Sequence, residues 1–199
     1  MPLSSSAYLP LVLASTSPFR RELLARLGLP FAVSAPAIDE KALPGEDATG
    51  LVARLAEQKA RAVAPLWPTA LIIGSDQVAV LDGDIIGKPG DHPRAVAQLR
   101  RASGQAVTFY TGLCLLDSRS GQYQLAVEPF RVIFRTLTSE MIEAYLHREQ
   151  PYQCAGSFKS EGLGIALFER LEGDDPTSLV GLPLIRLTRM LEAAGVAVL

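Results

Sequence analysis

The chain is poor in the residues from which redox and zinc centres are usually built. Its 199 residues include two cysteines and two histidines. Cys114 and Cys154 lie in separate segments without paired spacing, and His92 and His147 are too few and too scattered for a zinc motif. A reduced, cytoplasmic setting is therefore expected. Excess positive charge is also missing, with a formal net charge of −2 and a pI of about 5.7. No broad basic surface is available to track a nucleic-acid backbone through many phosphates, although a small anion held by a few local cations remains compatible. Long apolar runs are absent too: the first extends only over residues 9–14, carries no Lys or Arg ahead of it, and no later run could span a bilayer. What is present is 48% hydrophobic residues and a mean hydropathy of +0.21. That suffices for one good core, divisible into two lobes, and for a single domain over residues 1–199.

The most informative stretch is Ser15-Thr16-Ser17-Pro18-Phe19-Arg20-Arg21, between the apolar run Leu11-Val12-Leu13-Ala14 and Glu22-Leu23-Leu24. It predicts a strand turning into a helix, with Ser17 as N-cap and Pro18 at the first helical position, where its missing N–H costs nothing. Arg20 and Arg21 oppose the helix dipole, which favours acidic residues in the first turn. Free backbone N–H groups, the hydroxyls of Ser15 and Ser17, and two guanidiniums on one turn point to a phosphate site. A capped surface helix with its arginines in water is the plainer alternative.

Further along, Phe31-Ala32-Val33-Ser34 reads as a strand, and residues 35–44 as a loop exposing Asp39 and Glu40. Leu51, Val52, Leu55, Ala56 and Val63 recur at helical spacing within residues 49–64, and Lys59 falls on their stripe. A lysine there normally lets its stem pack and its ammonium reach water; an inward lysine serving a ligand is the alternative. Residues 71–81 and 85–87 flank Asp82-Gly83 and predict a β-hairpin. Alternation puts Asp76 on the face of Ile72, Val78 and Val80, where a carboxylate needs a metal, a cation or good hydrogen bonds. The Gly83 to Lys88 spacing does not make a Walker loop, since Pro89 stands where Ser or Thr should bind magnesium.

Helices are expected over residues 93–102 and 139–148, and paired strands over 107–116 and 123–134. The small-residue segment Cys154-Ala155-Gly156-Ser157-Phe158-Lys159-Ser160-Glu161-Gly162-Leu163-Gly164 is either a place where backbone approaches a ligand or a mobile surface loop. Residues 172–175 read as a turn, and Val180-Gly181-Leu182-Pro183 launches a last helix with Leu184, Leu187 and Leu191 on its core face. Strands and helices mix without regular βαβ alternation, an α/β chain of mixed α+β character.

These segments, in this order, resemble the Maf family of nucleoside triphosphate pyrophosphatases, relatives in fold of the inosine triphosphatases. The resemblance rests on Leu13-Ala14-Ser15-Thr16-Ser17-Pro18 with Arg20, Asp39-Glu40, Lys59, Gly74-Ser75-Asp76, Gly87-Lys88-Pro89, Ala155-Gly156-Ser157-Phe158 and Val180-Gly181-Leu182-Pro183-Leu184. It implies a mixed central sheet flanked by helices, with two lobes around a nucleotide cleft. It further implies hydrolysis between the α- and β-phosphates with a divalent cation, Mg2+, Mn2+ or Co2+. Asp76 is then the proton acceptor for the attacking water, with Glu40 and Asp76 at the metal and Ser15, Ser17, Arg20, Lys59 and Lys88 at the phosphates. Phe19, Gln77 and Glu161 resemble the branch that hydrolyses 7-methyl-GTP, whose cationic base suits an aromatic face and a carboxylate. Phenylalanine at position 19, where tryptophan is expected, offers a weaker stacking face. A dTTP or UTP pyrophosphatase and a nucleotide-binding regulator of cell division are the alternatives. A nucleoside triphosphate is the expected partner, with no nucleic acid and no membrane; a homodimer is left open.

Overall fold

The computed structural model describes residues 9–199; the stretch before Leu9, which carries no Lys or Arg, lies outside them. The first strand, β1 (Leu11–Ala14), is buried throughout and turns directly into α1 (Pro18–Ala25). Ser17 caps this helix by accepting the Arg20 N–H, and Pro18 occupies its first turn, as the sequence predicts. After β2 (Phe31–Ser34) and a long loop comes α2 (Ala48–Val63), capped by Asp47. The hairpin β3 (Leu71–Leu81) and β4 (Asp84–Ile86) turns at Asp82-Gly83, both with positive φ, as a two-residue hairpin loop of this type requires. Next follow α3 (His92–Ala102), β5 (Ala106–Asp117), β6 (Tyr123–Phe134) and α4 (Ser139–Glu149). The chain ends with β7 (Phe168–Glu172), α5 (Pro176–Val180) and α6 (Leu184–Ala193).

All seven strands form one sheet in the order β2-β1-β3-β5-β6-β7, with β4 paired to β3. The β2-β1-β3 part is parallel, and every pairing from β3 outward is antiparallel. This mixed open sheet flanked by helices bears out the expected fold class. Two features were missed in the sequence. β7 was not expected because its Phe-Glu-Arg-Leu-Glu shows little but charge, and α5 because five residues are too few for a helical period.

Two glycines set the position of α2. A Cβ at Gly74 would lie 2.0 Å from the Ala56 carbonyl oxygen, and one at Gly112 would lie 2.1 Å from that of Val52. Only glycine permits the helix to lie this close to β3 and β5. The helix then buries Val52, Ala56, Ala60 and Val63 against the sheet. Lys59 shares that buried face, so its ammonium is directed at the sheet; the snorkelling reading is overturned. On the opposite face α1 and α6 pack Leu23, Leu24, Leu187 and Leu191 over β1, β3 and β5. A separate core joins α3 and α4 to the far ends of β3, β5 and β6 through Leu99, Phe109, Phe134, Ile142 and Phe168.

Candidate active site

A cleft of about 650 Å³ is lined from both sides, by Ser15, Phe19, Arg20 and Lys59 on one hand and by Lys88, Phe158 and Glu161 on the other. Its volume is in the range of small-molecule sites.

The centre of the cleft follows from strand alternation in β3. Asp76 lies two residues beyond Gly74 and opposite Gly112, so it faces α2. There Lys59 donates to Asp76 Oδ1 at 2.6 Å and pairs with Glu40 Oε1 at 2.8 Å. Lys59 and Asp76 are only 5% and 7% exposed. Burial alone would raise the Glu40 pKa, but the Lys59 hydrogen bond and the charges of Lys59, Lys88 and Arg20 outweigh it and hold the carboxyl below its ordinary value. The 35–44 loop therefore brings one of its two adjacent carboxylates to the cleft wall against the Lys59 ammonium, while Glu40 itself stays exposed. Asp39 stays outside, accepting the Lys41 N–H. Arg54 secures the loop by gripping Glu46 with two hydrogen bonds of 2.6 Å and donating to the Lys41 carbonyl.

Side chains on the other face of β3 point toward α5. The Ser75 hydroxyl lies 2.8 Å from the Gly112 carbonyl oxygen and 3.0 Å from that of Gly181. Arg20 Nε donates to the same Gly181 oxygen at 2.8 Å. Gly181 has φ 119°, a conformation that favours glycine, and a Cβ there would lie 3.4 Å from Arg20 Nε. The guanidinium is thus turned away from the start of α1 toward the carbonyl end of α5. Burial lowers the Arg20 pKa, while Asp76 and Glu40 act in the opposite direction.

This geometry corrects part of the expected anion site. The Ser17 N–H is taken by Ser15 Oγ at 3.1 Å and the Arg20 N–H by Ser17 Oγ at 3.4 Å, so these two donors of the turn are spent internally. Arg21 is exposed and does not line the cleft, whereas Arg20 does. Ser15 and Ser17 both line it.

The remaining sites expected from the sequence also reach the cleft. Gln77 lines it, but its amide nitrogen is engaged by the Ser178 carbonyl at 2.7 Å, the Leu179 carbonyl at 3.2 Å and the Thr111 hydroxyl at 2.9 Å. Only the amide oxygen remains to meet a base. Lys88 and Glu161 are exposed loop residues close enough to Cys154 to influence its thiol, whose pKa burial pushes up. The 154–164 segment is anchored, against the mobile-loop reading. Phe158 packs edge-to-face on Phe109, Phe134 and Phe168 at 5.3, 5.5 and 4.9 Å between centroids, and Tyr145 accepts the Lys159 N–H. Lys159 itself pairs with Glu149. Val78, expected on the Asp76 face, lines the cleft, and sequence reasoning missed Gln153 and Leu179, which line it without any chemical signal in the sequence. It also separated His92 from His147, which the packing of α3 on α4 brings together beside Glu143.

The Maf family profile, described as "Maf-like protein", matches residues 10–194. The chain belongs to the Maf family. A Nitrosococcus oceani relative named "7-methyl-GTP pyrophosphatase" is 65% identical over 199 residues, 100% of both chains. A protein of the same name from Pseudomonas fluorescens is 62% identical over 94% of this chain and 98% of its own. A third, from Polaromonas sp., is 60% identical over 94% of this chain and 86% of its own. In this Maf protein the motifs of the family meet in one cleft: the turn after β1, the loop before α2, Lys59, Asp76 and the segment after α4. Among the described residues no helix is long and apolar enough to cross a membrane.

Proposed function

We propose that this protein hydrolyses 7-methyl-GTP to the nucleoside monophosphate and pyrophosphate, as its relatives' names describe for them. The observation behind this reading is the convergence of the cations Lys59 and Arg20 on the carboxylates Asp76 and Glu40, in a cleft that also presents Phe19 and Glu161. Lys59 holds Asp76 by Oδ1 and so fixes the carboxylate's direction. Its second oxygen then takes the proton of a water attacking the α-phosphorus. Arg20, Lys59 and Lys88 neutralise charge developing on the departing pyrophosphate. Phe19 stacks on the base, and Glu161 attracts the positive charge of the 7-methylguanine ring and accepts from its N1 and N2 donors.

The donor set fits a hard divalent cation. Glu40 and Asp76 place two carboxylates within reach of one ammonium, and magnesium-class ions take one or two carboxylates plus substrate phosphates. Such an ion, Mg2+, Mn2+ or Co2+, would be held by these two residues and would supply charge neutralisation on the phosphate oxygens.

The test is pyrophosphate release from a panel of triphosphates, each with and without added metal. The expected result is the highest kcat/KM for 7-methyl-GTP and none without a divalent ion. A preference for dTTP or UTP would overturn the substrate, and no turnover of any triphosphate would overturn the activity.

A further inference from the structure

We propose that His92, Glu143 and His147 form a second metal site, for an ion of the zinc class, that clasps α3 to α4 outside the nucleotide cleft. Glu143 and His147 are four residues apart on α4 and share one face of the helix. His92 opens α3, which packs across that face. One ligand atom from each of the three lies within 4.8 Å of the others. His92 Nε2 is 2.8 Å from Glu143 Oε2, and His147 Nε2 is 3.7 Å from the same oxygen. A tetrahedral ion with bonds of about 2.0–2.1 Å places its ligand atoms roughly 3.3–3.5 Å apart, so small side-chain rotations suffice to seat it.

A second observation supports ligation. His92 Nδ1 lies 3.0 Å from the Tyr152 hydroxyl. With Nε2 on a metal, Nδ1 carries the ring proton and donates it to Tyr152, the outer hydrogen bond that orients ligating imidazoles. Two imidazoles, one carboxylate and an open position suit Zn2+, Co2+ or Ni2+ and not Mg2+. The site therefore differs in chemical class from the carboxylate pair at Glu40 and Asp76, and none of its three residues lines the cleft.

Its place gives it a structural consequence. The Gly90 N–H donates to the Tyr152 carbonyl at 2.9 Å. Lys88 lies two residues before Gly90, and Gln153 and Cys154 follow Tyr152 directly; all three line the cleft. An ion on His92 therefore ties together the two segments from which one cleft wall is made.

The experiment is Zn2+ titration of tag-free protein against a chromogenic chelator, paired with Co2+ titration read by visible absorption. His147→Ala, at an exposed side chain, is expected to weaken Zn2+ binding at this site more than tenfold and to remove the tetrahedral Co2+ bands. Tyr152→Phe is expected to weaken it about tenfold. Asp76→Asn is expected to leave it unchanged, which separates this site from the catalytic one. Zn2+ should raise the melting temperature of the wild type and not of His147→Ala. Zinc uptake that is absent, or identical in wild type, His147→Ala and Glu143→Gln, would overturn the site and reduce the cluster to a hydrogen-bonded clasp.

Discussion

Asp76 and Lys59 are nearly inaccessible and joined at 2.6 Å, whereas Lys88 and Glu161, on the same cleft, are exposed residues on loops. The first pair is fixed by elements that cannot shift independently. A regular strand presents Asp76, a helix pressed onto two glycines presents Lys59, and the Gly181 carbonyl holds Arg20. The exposed pair gains little from each other or from their surroundings in high-dielectric solvent. One part of the cleft is thus held by buried contacts, and the other presents exposed charges from loop positions to whatever enters.

The comparison can be broken most severely at its rigid side. Asp76→Asn should lower kcat about a thousandfold while the chain still folds, since general-base contributions run from about 10²- to 10⁴-fold. Its melting temperature should be lower, because the buried Lys59 ammonium loses a charged partner. A rate near wild type in the pyrophosphate-release assay would remove Asp76 from its proposed role. Gly74→Ala forces a methyl group into the Ala56 carbonyl and should cost about 2–3 kcal/mol of stability, seen as a melting temperature lower by several degrees. Because α2 must lift to accommodate it, kcat should fall too, as Lys59 withdraws from Asp76. Arg20→Ala should raise KM about 30-fold and change kcat less, by removing a charge-assisted hold on the triphosphate; an unchanged KM would assign Arg20 to the Gly181 contact alone.

The residues proposed to meet the base, Phe19 on one wall and Glu161 on the other, should respond differently. Phe19→Ala with Glu161→Gln should reduce the preference for 7-methyl-GTP over GTP about tenfold while GTP turnover stays within about twofold, because stacking and charge attraction at exposed sites amount to about 0.5–1 kcal/mol each. Equal losses on both nucleotides would show that these residues position the substrate and do not read the methylated base. The smallest effect belongs to the strap behind Glu40. The Arg54 hydrogen bonds lower the Glu46 pKa to about 2, so its contribution is present above the ordinary carboxylate pKa and is lost as the pH falls toward 2. Glu46→Gln should therefore melt slightly lower than wild type at pH 7, and the two melting curves should draw together as the solution is acidified.

Local patterns were legible where the physics is local. Ser17-Pro18 marks the start of α1, Asp82-Gly83 the hairpin, and the apolar stripe of α2 its extent to within a residue, because caps, turns and helical periods act over a few neighbours. β7 and α5 were illegible for the same reason, being too short or too charged to show a period. In the cleft, Asp76 was readable as a costly buried carboxylate, but its partner was not: Lys59 looks like a side chain reaching for water until α2 is seen lying on Gly74 and Gly112. Likewise, the paired arginines of α1 were read as one anion site. The fold divides them, sending Arg20 to Gly181 and Arg21 into solvent.

The sequence by itself determined most of the elements and the residue types that phosphate chemistry needs, since each is written in neighbouring side chains. The tertiary structure alone decided which charges neutralise one another, because that depends on approach across long chain separations. Lys59 meets Asp76 and Glu40, Arg20 meets a carbonyl 161 residues away, and His92 meets Glu143 51 residues on, only once glycines and helix packing have closed those distances.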